Sequence, residues 1–273
     1  MLKTRLATAA VAIPILLVAV GYGGLAFMAV VLFANVAGLL EFQRLRPFPD
    51  DGPRDVLGVA ITVVAGSMLV VAFHVASHAS VGAALTVGVL LPLARAVFGE
   101  AEMLARARRA LHAIAGIVYV SFLLGHIVAL RALPHGALWV VFLLGVVMMA
   151  DTGAYFAGRW FGRTPLSPVS PKKTVEGSIG GLVASASFAA GVTAFGPLGL
   201  EWWHGPLLAV PAALMSQVGD LAESLLKRSF GVKDSGKLIP GHGGLLDRFD
   251  GMLGAAIFVL ITAPLTGYPP GLV

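Results

Sequence analysis

Apolar runs long enough to cross a bilayer recur from one end of this chain to the other, and nothing else limits its fold so tightly. Nine such runs fall near residues 4–21, 23–42, 55–73, 79–98, 110–130, 136–157, 178–196, 205–226 and 252–268. Each supplies close to the roughly 20 residues that a helical crossing needs. In hydrocarbon every backbone N–H and C=O must be bonded within the segment, so the runs predict helices. Only 12% of the 273 residues are charged, against about 25% in a soluble domain. The expected fold is all-α: a polytopic integral membrane protein of about nine transmembrane helices. Helices one to five would occupy 1–135, and a catalytic region 136–273 would carry the rest, with cytoplasmic loops at 158–177 and 227–251.

Charge placement predicts the orientation. Of the 19 Lys and Arg residues, all but Arg131 fall before the first helix or in alternate loops of a nine-helix arrangement. The positive-inside rule then puts the N-terminus and these loops in the cytoplasm. Lys3 and Arg5 precede the first run as in a signal peptide, but no small-x-small cleavage pattern follows, so the run is read as a retained span. The chain has no cysteine, which excludes disulfides and thiolate chemistry. The segment Gly99–Ala110 reads as a surface helix with its arginines against anionic headgroups, or equally as a solvated connector.

Ser224–Asp250 concentrates charge beside membrane-spanning sequence, which is costly without a function. Lys227, Arg228, Lys233, Lys237 and Arg248 suit phosphate groups, and Asp234, Asp247 and Asp250 suit a hard cation such as Mg²⁺. Gly241, Gly243 and Gly244 let backbone N–H groups approach an anion closely. His242 could donate to a phosphate or leaving group, and Asp250 could instead cap the last helix. A solvated basic loop is the plain alternative. Upstream, Ser216, Asp220, Glu223, Ser224 and Lys227 share one helical face. Asp220 then lies about 10 Å deeper along the axis than Lys227. That suits a cation site below a phosphate site, or a structural acid–base pairing at a helix end.

A second polar cluster joins helices six and seven. Asp151 lies in an apolar run with Tyr155 and Arg159 on its face. Ser170, Lys172, Lys173 and Thr174 could bind phosphate, although the segment lacks P-loop spacing. Gly177 and Gly181 form a GxxxG, the pattern of close helix packing. His74 and His78 stand four apart but at the junction between two apolar runs, and no HExxH occurs, so no zinc site is expected.

The run S-x-x-K-R-x4-K-D-x-G-x2-I-P-x-H-G-G-L-x-D-R-F-D resembles the signature of the phosphatidate cytidylyltransferase family without departure over its 27 positions. Gly219-Asp220-Leu221-x-Glu223-Ser224 and Ser170-Pro-Lys-Lys-Thr-Val-Glu-Gly177 resemble further segments of that family. The likeness implies a reaction of CTP with phosphatidate, giving CDP-diacylglycerol and pyrophosphate. It implies Mg²⁺, with place for a second, monovalent cation, and a homodimer with no nucleic-acid partner. Asp220 and Asp247 would hold metal, with Lys227 as a third catalytic group. Ser224, Arg228, Lys172, Lys173, Ser170, His242, Gly243, Gly244 and Arg248 would bind substrate, supported by Asp151, Glu223 and Asp250. The active site would face the cytoplasm at a bacterial-type inner membrane.

Two rival readings remain at this level. A CTP-dependent lipid-alcohol kinase would transfer the γ-phosphoryl group and would need a base such as Asp151 or His242. A secondary transporter would use Asp151 and Asp220 as coupling-ion sites, but paired halves with broken helices are not visible in the sequence.

Overall fold

The computed structural model describes residues 2–45, 55–75, 77–236 and 243–266, with side chains from Ala10 to Pro264. They form ten α-helices: α1 (Leu2–Tyr22), α2 (Gly24–Arg44), α3 (Val56–His74), α4 (His78–Val97), α5 (Met103–Gly116), α6 (Leu123–Ala132), α7 (Gly136–Phe161), α8 (Val175–Phe195), α9 (His204–Ser229) and α10 (Leu246–Thr262). A π-helical turn, Ile117–Phe122, joins α5 to α6. Among the described residues the only β-type pairing is an isolated bridge between Pro165 and Thr174. The all-α expectation holds.

Among the described residues six helical segments are long and apolar enough to cross a membrane: α2, α3, α4, the continuous Met103–Ala132, α7 and α8. The other three runs also lie on helices, but outside this set of six among the described residues. α1 contributes only the shorter Ala10–Tyr22. α9 carries a polar stripe, and α10 has 17 residues. The breaks between helices have local causes. Gly23 and Gly24 take φ of 68° and 50°, a left-handed turn that ends α1. Asp55 caps α3 by accepting the N–H of Gly58 at 3.0 Å.

The chain divides into two compact units. The first joins Met1–Ala129 with Ser229–Arg248, and the second joins Leu130–Arg228 with Phe249–Gly271. In the first, α2 buries Phe27, Val31, Leu39 and Phe42. Gly66 of α3 admits Ser121 and Leu39; a Cβ there would collide with Ser121 Oγ and stand 2.6 Å from Leu39. The π turn presents buried Ile117, Val120 and Ser121 at this junction. π turns interrupt α-helices where local packing favours a wider turn.

In the second unit, α7 and α8 meet through small residues. A Cβ on Gly153 would lie 2.7 Å from the Gly180 carbonyl, and one on Gly181 would lie 2.6 Å from the Ala150 carbonyl. Gly177 stands as close to Ala154. Both glycines of the GxxxG therefore serve close helix approach. Ser185 adds a buried hydrogen bond to the Val146 carbonyl at 2.9 Å. α9 and α10 approach in the same way, with Gly219 against the Asp250 carbonyl and Gly254 against that of Met215.

Candidate active site

Polar side chains of the second unit gather on one face of α9. The chain alternates there between small apolar residues that pack and polar residues at helical spacing, so the polar set turns one way. Ser216 and Glu223 are buried, and Asp220 and Ser224 are half-buried. Glu223 is completely enclosed and has the ammonium of Lys227 at 3.4 Å, one turn on. Its burial exceeds that of Asp220, whose side chain is 33% exposed. The sequence made Asp220 the leading acid and Glu223 a supporting one; in depth, the order is reversed.

Lys173 reaches Asp220 from the α7–α8 loop, its Nζ donating to Oδ2. That loop is folded back on itself. Leu166 donates to the Lys173 carbonyl at 2.8 Å and Val175 to Thr164 at 2.9 Å. Thr174 caps α8 by accepting the Gly177 N–H at 3.1 Å. Glu176 accepts the N–H groups of Arg163 and Thr164 at 3.0 and 3.2 Å. Ser170 forms the turn before Lys173, and Lys172 points outward, exposed. Asp250, half-buried on α10, lies against Glu223 and within the field of Asp220 and Lys227. Three carboxyl groups and two ammonium groups are thus gathered around the end of α9.

Two further residues complete this array and were not foreseen. Ser178 donates through its hydroxyl to Gln217 Oε1, and Gln217 Nε2 returns a bond to the Ser178 carbonyl at 3.1 Å. The pair ties α8 to α9 one turn from Asp220. The signal was a lone glutamine in an apolar helix. Asp151 lies elsewhere on α7, exposed, in a row with Tyr155 and Arg159; Arg159 donates to the Tyr155 hydroxyl at 3.1 Å. Arg228 is exposed at the end of α9.

In the first unit the signature loop is organised by two acids. Asp247 accepts the N–H of Ser235 at 3.1 Å and that of Gly244 at 2.8 Å. Gly243 takes φ of 84°, so the turn needs glycine there. Glu41, buried on α2, accepts the N–H of Leu246 at 2.9 Å and the hydroxyl of Ser235 at 3.4 Å. Glu41 also was not foreseen; its signal was a single acid inside the apolar run of α2. Arg248 is exposed on the first turn of α10. Gly241, His242 and Lys237 lie outside the described residues.

No group of three or more His, Asp and Glu side chains stands ready to hold a metal ion among the described residues. The donor chemistry nevertheless fits a hard cation, which takes carboxylate oxygens. Asp220 already holds one positive group, the Lys173 ammonium, and has Asp250 beside it.

Fold and site together define an all-α protein with membrane-spanning helices, whose polar chemistry is an array of carboxylate and ammonium groups at a helix end. The cytidylyltransferase family model matches residues 3–265. The chain belongs to that family. A phosphatidate cytidylyltransferase of Brucella suis biovar 1 (strain 1330) is 36% identical over 274 residues, covering 98% of this chain and 95% of the relative. One from Synechocystis sp. is 46% identical over 137 residues, covering 50% of this chain and 44% of the relative. One from Helicobacter pylori (strain J99) is 47% identical over 122 residues, covering 45% and 46% respectively.

Proposed function

We propose that this protein transfers the cytidylyl group of CTP to phosphatidate, giving CDP-diacylglycerol and pyrophosphate at a membrane surface. The observation that carries the reading is the α9 array, in which Asp220 is joined to Lys173 and Glu223 to Lys227. It stands in a chain similar along nearly its whole length to enzymes of that name.

The chemistry asks for charge neutralisation rather than a base. A phosphomonoester has a second pKa of about 6, so the phosphatidate headgroup is largely dianionic at neutral pH. One of its oxygens attacks the α-phosphorus of CTP. The new P–O bond forms as the bond from the α-phosphorus to the bridging oxygen breaks, and pyrophosphate leaves with that electron pair. No proton has to be removed from the nucleophile. The obstacle is bringing two anions together in line, which positioned cations and amides overcome.

Lys173 and Lys227 supply that charge from fixed places, because Asp220 and Glu223 hold them. Lys172 and Arg228, both exposed, would meet the incoming phosphates. Ser170 and Ser224 would hydrogen-bond phosphate oxygens. The Gly243–Gly244 turn would take pyrophosphate, and His242 and Arg248 keep the substrate-binding roles that the family resemblance gives them. Asp220, with Asp250 beside it, would hold Mg²⁺, whose positive charge at the triphosphate is the chemistry it supplies when bound. Asp247 keeps the metal-ligand role that the family resemblance gives it, and a monovalent cation has a place in the same reading. Asp151 would orient one of the basic side chains.

The same proposal carries nine spans, a cytoplasmic N-terminus and site, a bacterial inner membrane and a homodimer. The topology is supported by the one-sided distribution of Lys and Arg, and the homodimer rests on the family resemblance alone. The test uses purified protein, phosphatidate micelles, Mg²⁺ and CTP labelled at the α-phosphate. Label entering lipid, with one pyrophosphate released per label, supports the proposal. Label entering lipid only from γ-labelled CTP would instead identify a lipid kinase.

A further inference from the structure

The first unit contains a cleft that the proposed reaction does not use. It lies where the end of α2, the start of α3, the end of α4 and the first half of α5 come together. Its volume is about 100 Å³, and its polar lining includes Gln43, Asp55, Glu100, Arg95, Arg106, Arg108 and Arg109. A cavity needs only about 10–15 Å³ in the same measure to hold one water, so a phosphate group fits. Four guanidinium groups face two carboxylates, which leaves the cleft positive.

Its hydrogen-bonding is unbalanced toward donors. Arg95 is fixed by Asp55, Nη2 to Oδ1 at 3.2 Å. Arg106 is fixed by three carbonyls at the end of α4, donating through Nη1 to Ala96 at 2.9 Å, Val97 at 3.0 Å and Gly99 at 2.7 Å. Both forks are held rigid, yet the buried Nε of Arg95, the buried Nε of Arg106 and the buried Nε2 of Gln43 have no hydrogen-bond partner. A buried donor left unmade costs about 1–3 kcal/mol. A guanidinium has no acceptor atom, so the four arginines cannot satisfy one another, and the donors of the cleft outnumber its acceptors. A phosphate oxygen is the acceptor that arginine forks match best.

The residues neighbouring the arginines in sequence point to the source of that phosphate. Phe98 is 84% exposed, Met103 77%, Val97 68% and Leu104 52%, all beside the arginines in sequence. Exposed apolar side chains next to these arginines along the chain, at the ends of membrane-spanning helices, match a headgroup phosphate with its acyl chains alongside. We infer that the cleft of Arg95, Arg106, Arg108 and Arg109 is a binding site for the phosphate of an anionic phospholipid, additional to the α9 array.

The absence of cysteine makes the test direct. Ala101, exposed at the edge of the cleft, is replaced in the full chain as Ala101→Cys, and its maleimide labelling is timed in dodecyl maltoside. Phosphatidylglycerol is expected to slow labelling at least fivefold relative to phosphatidylcholine. Arg108→Gln with Arg109→Gln is expected to abolish that protection. Protection by glycerol 3-phosphate or inorganic phosphate without any by the lipid would support the anion site and overturn its lipid source. Equal labelling with phosphatidylglycerol, phosphatidylcholine and both soluble phosphates would overturn the site. That comparison leaves every arginine in place and does not depend on how the double variant folds. Protection that persists undiminished in a folded double variant would overturn it as well.

Discussion

Glu41 of α2 accepts the backbone N–H of Leu246, the first residue of α10, at 2.9 Å across 205 positions of sequence. The carboxylate is 1% exposed and also receives the Ser235 hydroxyl. One buried acid in the N-terminal half thereby pins the start of the helix that carries Asp247 and Asp250.

Removing that acceptor should loosen the signature loop. Glu41→Ala leaves the Leu246 N–H without its acceptor, a loss of about 1–3 kcal/mol. The expected outcome is a lower unfolding temperature in detergent together with reduced cytidylyl transfer. Glu41→Gln, which keeps a carbonyl oxygen in place, should lose less of both. Equal thermal stability of the alanine variant and the parent would refute the anchoring role.

Asp220 holds Lys173 and is a third exposed, so its neutral isostere should fold. Asp220→Asn is expected to lower kcat by more than tenfold with little change in unfolding temperature. Asp247→Asn should also lose more than tenfold. Falls smaller than tenfold in both variants would remove these residues from the catalytic assignment.

Buried Glu223 and half-buried Lys227 form a pair at 3.4 Å. Lys227→Met strands an enclosed carboxylate and should destabilise by about 3–5 kcal/mol. Adding Glu223→Gln should restore most of the stability but not the activity, because the phosphate-binding ammonium stays absent. A double variant as active as the parent would show that Lys227 is structural only.

Gly243 turns the chain at φ 84°, and a Cβ there would meet Asp247 Oδ2 at 2.9 Å. Gly243→Ala adds about 1–2 kcal/mol of left-handed strain and pushes on the carboxylate. Activity is expected to fall further than in Gly191→Ala, where a Cβ meets nothing within 4 Å. Parallel rate measurements on the two variants decide the point.

Metal dependence is a separate test of the proposed chemistry. Chelation by EDTA should abolish transfer, and added Mg²⁺ should restore it. Undiminished activity in EDTA would remove the metal from the reaction.

Much of this protein was legible in one dimension. The apolar runs dictated helices, because hydrocarbon leaves the backbone no other partners. The polar face of α9 followed from the helical period alone, and so did the small-residue seam at Gly177 and Gly181. The 27-residue signature marked the family, since charged and glycine residues at fixed spacing rarely recur by chance. What periodicity could not give was pairing between distant segments. That Lys173 answers Asp220, that Gln217 answers Ser178, and that Glu41 holds Leu246 depend on which helices become neighbours. The depth of Glu223 relative to Asp220 likewise depends on what packs over the end of α9. Sequence determined the helices and the chemical types they carry, because those depend on local bonding and solvent. Tertiary packing decided which charges meet, because burial and partnership are properties of neighbours brought from afar.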